Sequence, residues 1–237
     1  MAETENLYTA SVAFNRAQSL NDVIQSFING IGEKADTSGA AFWNLIYDEN
    51  AKVNSIKLIE SWRPGNEPPR LPIGAQLYPA KMLSIDSWTN DPRKITLIDG
   101  LTTDEISKND AAFLQLCDAV GVRSMGVVPI TLGSRWVGLI TFHWDSTNTF
   151  TRQDRRVFTS LAAQAATAVD SLLQLERTQK RANREQLVNN ITQRIQETVT
   201  VDKALQTTIE ELGKALQLRK ARIRLKREHQ DNGGPAN

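Results

Sequence analysis

The sequence predicts an α+β domain: an antiparallel sheet flanked by helices, followed by one long C-terminal helix. Three observations carry that reading. Two amphipathic helix patterns open the chain, ahead of any strand pattern. Strand patterns then come in neighbouring pairs, 39–47 with 56–62 and 124–131 with 136–144, each joined by a turn rather than a crossover. Finally, no Pro or Gly occurs between Thr151 and Gly213, so nothing in that stretch breaks a helix.

In order along the chain, Leu7, Ala10, Ser11, Phe14 and Ala17 hold helical spacing and predict a first helix over about 4–18. Asn21 and Asp22 are cap candidates for a second, with Val23, Ile24, Phe27, Ile28 and Ile31 on its apolar face. A strand at 39–47 turns at Asp48-Glu49-Asn50 into its partner at 56–62. Four prolines between 64 and 72 make the next stretch irregular, with room for an edge strand. The pattern predicts a helix over 78–88, a short strand over 95–98 and a helix over 104–120. Phe113, Leu116, Cys117 and Val120 form one face of that helix and Gly121 is its C-cap. Leu132-Gly133-Ser134-Arg135 joins the two strongest strands as a hairpin, and Pro129 inside the first of them points to an edge position or a bulge. Thr149 or Thr151 caps a helix over about 153–198, roughly 70 Å long. A break near 183–186, giving two helices, is the competing reading.

Along that helix Leu161, Ala165, Ala168, Leu172 and Leu175 keep a four-three spacing, the signature of a coiled-coil seam. The apolar stripe resumes out of phase at Val188, Ile191 and Ile195, after the polar run RTQKRANREQ. The end of the chain also repeats its beginning. Shifted by 181 positions, Leu7, Phe14, Leu20, Ile24 and Ile28 fall on Val188, Ile195, Val201, Leu205 and Ile209, and Gly32 falls on Gly213. A fixed period implies an array of like units, here one whole unit and the start of a second. The basic run 219–227 alternates Ala221, Ile223 and Leu225 with cations, so it reads as a half-buried strand of that second unit rather than as a nucleic-acid patch.

Bulk properties narrow the function classes. With 237 residues, 40% of them hydrophobic, the chain can bury a sizeable core. A formal charge of +1 gives no field to steer nucleic acid or membrane. One cysteine permits no internal disulfide, no apolar run is long enough to span a bilayer, and the N-terminus has no secretory pattern. The expectation is a soluble, cytoplasmic protein.

Gly121-Val-Arg-Ser-Met-Gly-Val-Val-Pro-Ile130 and Trp136-Val-Gly-Leu-Ile-Thr-Phe142 resemble the GAF domain family. Phe150-Thr-Arg-Gln-Asp154, followed by Val157, Leu161, Ala162, Gln164, Ala165 and Ala168, resembles the family's closing helix. The resemblance covers about 4–175, and the second copy resembles the first elements of another GAF domain. It implies a GAF/PAS-like fold with a signalling helix, as a sensor domain in a bacterial multidomain signalling protein such as a histidine kinase or cyclase. The domain reading is then 4–175 for the GAF domain, 176–200 for a connecting coiled-coil helix, 201–227 for a truncated second GAF domain and 228–237 for a disordered tail.

No catalytic constellation is legible. Cys117 falls on an apolar helix face, as a structural thiol does. A single cysteine argues against the family's methionine sulfoxide reductases. Asp118, where bilin-attaching relatives carry a histidine, argues against a covalent chromophore. Lys108-Asn109, Phe113 and Cys117-Asp118 are out of order for the family's cyclic-nucleotide pattern. His143 reads as a surface strand residue and His229 lies in a polar tail, so no metal set and no cofactor are expected. A ligand pocket is placed between the sheet and the irregular 75–125 region, lined by Trp88, Ile98, Phe113 and Met125 with Asp99 or Arg123 as polar contacts. The expected partner is a second copy, meeting along Leu7, Phe14, Leu161, Ala165, Ala168, Leu172, Leu175, Val188, Ile191 and Ile195. The functional expectation is a module that dimerises and relays a signal through its terminal helices. A ligand-free dimerisation spacer is the alternative, and a GAF-type reductase a more distant one.

Overall fold

The computed structural model describes residues 2–196 and 201–216. They divide into two compact units, with the boundary between Gln174 and Leu175. In the first unit, α1 (Ala2–Arg16) and α2 (Leu20–Gly30) precede β1 (Gly39–Tyr47) and β2 (Val53–Trp62). A short β3 (Gln76–Leu77), α3 (Leu83–Thr89), β4 (Thr96–Ile98) and α4 (Ala111–Ala119) follow. Then come β5 (Ser124–Leu132), β6 (Arg135–Trp144) and α5 (Arg152–Gln196). The strands form one antiparallel sheet in the order β3-β2-β1-β6-β5-β4; the β1–β2 and β5–β6 pairs are the hairpins that the patterns predict, and β1 and β6 join them.

Strand alternation divides the core into two layers. Phe42, Val128, Ile130, Ile140, Phe142 and Trp144 face one way and pack with α1, α2 and α5. Phe27 lies 4.8 Å from Phe142, and Phe142 meets Phe158 edge to face at 5.6 Å, so three elements share one aromatic cluster. Trp43, Leu58, Met125, Val127 and Leu139 face the other way and pack with α3 and α4. Pro129 lies past the end of the β4–β5 ladder, which spans only Met125, Gly126 and Val127 of β5, and next to the irregularity at Ile130/Thr131. Both features suit a residue with no N–H to donate.

Several predicted helices shorten for identifiable reasons. Ser19, not Asn21 or Asp22, is the N-cap of α2, and Asp22 completes a capping box with it. The helix expected over 104–120 starts only at Ala111. The Asp104 carboxylate instead accepts from the Ile106 and Ser107 N–H groups, and Asp110 caps α4 by accepting from Phe113 N–H. The helix expected over 78–88 becomes a 3₁₀ turn at 79–81 and then α3, because Pro79 has no N–H for a preceding turn.

Helix α5 is unbroken across 183–186, and its 45 residues extend about 67 Å. The second unit holds its C-terminal portion and α6 (Val201–Ala215). There Arg194 bonds Glu211 at 2.5 Å. The strand expected at 219–227 and the tail at 228–237 lie outside the described residues. Among those described, no helix is long and apolar enough to cross a membrane.

Candidate ligand pocket

A cavity lies between the α3–α4 face of the sheet and α4. Strand β1 contributes Gly39, Ala41 and Trp43, β2 contributes Leu58, and α4 contributes Phe113, Leu116 and Cys117. Its floor follows from the alternation that buries Phe42 and Phe142 on the opposite side. Trp88 of α3 meets Phe113 edge to face at 5.2 Å. Asp110 fixes both of these helices, accepting from Ser84 N–H at 2.8 Å through Oδ2 and from Phe113 N–H at 3.1 Å through Oδ1. Trp43 Nε1 donates to Thr141 Oγ1 at 2.9 Å, so both polar atoms in this wall are satisfied.

Of the residues expected to form the pocket, Trp88, Phe113 and Met125 line it, whereas Ile98, Asp99 and Arg123 do not. Ile98 is buried in the core beside β5. The Asp99 carboxylate accepts from Phe150 N–H, and its carbonyl accepts from Asn148 N–H and from the Ser124 hydroxyl, so it anchors the loop before α5. Arg123 is exposed and paired with Asp118 at 2.8 Å.

Other polar residues occupy the pocket instead. His143, expected at the surface, is half-buried and lines it beside Arg63 and Arg70. The period-two pattern placed this ring on the face away from Phe142 and Trp144 correctly, but that face is covered. Burial, and after it the Arg70 guanidinium, push the imidazole down to about 4. Arg70 is itself lowered, by burial first and by Arg63 next, against the opposing pull of Asp145 and Glu67. Arg63 forms an ion pair with Glu67 and donates to the Pro68 carbonyl at 3.1 Å. Its Nε and Arg70 Nη1 are buried without a hydrogen-bond partner. Nothing in the proline-rich 63–72 run signalled that its arginines turn inward. Burial, and secondarily Asp110, raise the Cys117 thiol to about 12, which keeps it protonated and unreactive. Among the described residues, no three His, Cys, Asp or Glu come together as a metal site.

The residues expected to form a dimer seam divide into two groups. Phe14, Leu161 and Ala165 are buried in the chain's own core and cannot meet a second copy. The first part of the four-three spacing therefore records packing on the sheet, where Ala165 and Ala166 let the helix sit close. Leu7, Ala168 and Leu172 are partly covered by the same core. Leu175 and Val188 are 66% and 53% exposed and Ile191 is half-buried, while the Ile195 side chain lies outside the described residues.

A central antiparallel sheet carries core helices on one side and a small pocket under α3 and α4 on the other, which defines the class as an α+β domain. The family model for the GAF domain matches residues 19–169, and the chain belongs to the GAF domain family. Solved structures agree on the fold. The GAF domain of an Acinetobacter phosphoenolpyruvate-protein phosphotransferase is similar at 15% identity and TM-score 0.54, over 75% of this chain and 98% of that one. The GAF domain of a two-component sensor histidine kinase from Bacillus halodurans is similar at 19% identity and TM-score 0.50, over 68% of this chain and 99% of that one. The chromophore-binding domain of an R. palustris bacteriophytochrome is similar at 12% identity and TM-score 0.54, over 73% of this chain. The present chain spans only 62% of that domain's length. No curated protein matches the sequence.

Proposed function

We propose that this chain is a sensory and regulatory GAF module that dimerises through its terminal helices and relays the state of its sheet domain along α5 to a downstream output domain. The parent would be a signalling protein of the histidine-kinase or cyclase kind. The module itself is regulatory rather than catalytic. One observation carries the reading: α5 is a single helix that is at first part of the sheet domain's core and then part of the next unit. Phe158, Leu161, Ala165 and Val169 are buried against the sheet, whereas Leu175 and Val188 expose apolar side chains on the same helix. A shift in the sheet therefore shifts that helix, and two packings of one helix pair make a bistable element.

Arg135 at the β5–β6 turn supports the same coupling, since it forms an ion pair with the buried Asp170 of α5. Those strands also carry Met125 and His143 of the pocket. Single cysteines placed at 172, 175, 188 and 191 in a Cys117→Ala background test the reading. Disulfide cross-linking is expected at these positions and not at Arg177 or Arg181. Uniform absence of cross-links along the helix would reject the dimeric relay.

A further inference from the structure

The polar side chains of the pocket define a ligand class, an assignment that rests on the sensory reading of this domain. We propose that the cavity takes a small organic monoanion, a carboxylate on a short apolar body, with the carboxylate on Arg70 and the body against Trp88, Phe113 and Met125.

The donors carry the argument. Arg70 lines the cavity and its Nη1 is buried without an acceptor, as is Arg63 Nε. Buried donors in folded proteins are paired almost without exception, since leaving one bare forfeits its hydration. Here both nitrogens belong to residues that line the cavity, and neither has a protein acceptor. A guanidinium presents parallel N–H groups that match the two oxygens of a carboxylate. His143 lines the same wall as a neutral ring able to donate one further hydrogen bond.

Charge and size exclude the neighbouring classes. Arg63 is neutralised by Glu67, and both Glu67 and Asp145 act on Arg70. These two guanidiniums and two carboxylates sum to no net charge, so a monoanion is held by directed hydrogen bonds to one guanidinium and a dianion finds no excess positive charge to bind it. The cavity volume is about 60 Å³, room for a few waters and far less than a nucleotide needs. Aromatic and aliphatic side chains supply most of the remaining lining, which favours an apolar body over a polar one.

Propionate and butyrate are the probes, tested on the full chain by isothermal titration calorimetry and thermal unfolding at constant ionic strength. Propionamide and butyramide match them in shape without the charge. The carboxylates are expected to bind saturably and raise Tm, with the amides at least about tenfold weaker. Inorganic phosphate should shift Tm no more than chloride does. Arg70→Gln should weaken butyrate at least about tenfold at an unchanged urea midpoint, and Arg70→Lys should restore only part of it. Equal binding of the amides, phosphate binding as tight as butyrate, undiminished binding by Arg70→Gln, or no carboxylate binding at all would each overturn the assignment. Should Arg70→Gln fail to fold, the acid–amide comparison on the native chain still decides. The α5 cross-links report separately: cross-links without carboxylate binding refute the ligand class alone, and binding without cross-links refutes the relay alone.

Discussion

A neutral imidazole half-buried beside two guanidiniums makes stability depend on pH. His143 falls to about 4 in the folded domain, against about 6.5 in an unfolded chain. The unfolded state therefore binds more protons between those values. The contribution of the neutral ring is complete above about pH 6.5 and is lost as pH falls toward 4. At pH 5 the expected loss is about 2 kcal/mol relative to pH 7.5. Urea unfolding at the two pH values should show it in the native chain, and His143→Gln should flatten the difference; an equal pH slope in both would remove His143 as its cause. Asp110 is a second case at this scale. Its carboxylate caps α4 and also holds the first turn of α3, while the side chain is 5% exposed. Asp110→Ala should lower stability by about 2–3 kcal/mol and Asp110→Asn by less, measured by urea unfolding. Both residues were readable as to type and face. What a single sequence does not carry is which segment folds over them, and for that reason His143 was assigned to the surface and Asp110 passed as one more residue of a longer helix.

Among elements, the strands were the most legible because their alternation is enforced by two buried faces. Trp43 and Phe42 must go to opposite layers, and any one-residue slip would exchange them. Helices α3 and α4 were overextended because apolar spacing runs on past their caps, and the side chains of Asp104 and Asp110 decide where helical geometry begins. The seam on α5 was misread in its first half for a related reason. Spacing of four and three serves a helix packed on a sheet as well as a helix packed on its twin. Close approach is also built into the sheet itself. At Gly138 in β6 an added Cβ would lie 2.7 Å from the Trp43 carbonyl oxygen and 2.5 Å from Phe42 Cζ. The carbonyl belongs to the neighbouring strand and cannot yield as a side chain can. Gly138→Ala should therefore lower stability by about 2–4 kcal/mol in urea unfolding, and a loss under about 0.5 kcal/mol would show that β1 and β6 are free to separate there.

At the scale of the whole molecule, the 181-residue shift carries α2, starting at Leu20, onto α6, starting at Val201. The helix pair that opens the sheet domain thus has a counterpart after it, and α5 serves as the end of one unit and the beginning of the next. Such an arrangement leaves apolar side chains on α5 that the sheet domain does not bury, Leu175 and Val188 among them. Two explanations compete for these: a second copy covers them, or they are isolated surface residues of a spacer, which need no explanation. Because each is more than half exposed in the single chain, replacing both by Glu should change the stability of the sheet domain by less than about 0.5 kcal/mol. In a parallel helix pair the same changes bring like charges face to face across the seam, which disfavours association. Light scattering on the eluted peak should then give a dimer for the native chain and a monomer for Leu175→Glu/Val188→Glu, with the sheet domain folded in both. A native chain that is monomeric at tens of micromolar, or a double variant that stays dimeric, would mean that α5 is not the surface through which copies of this domain meet.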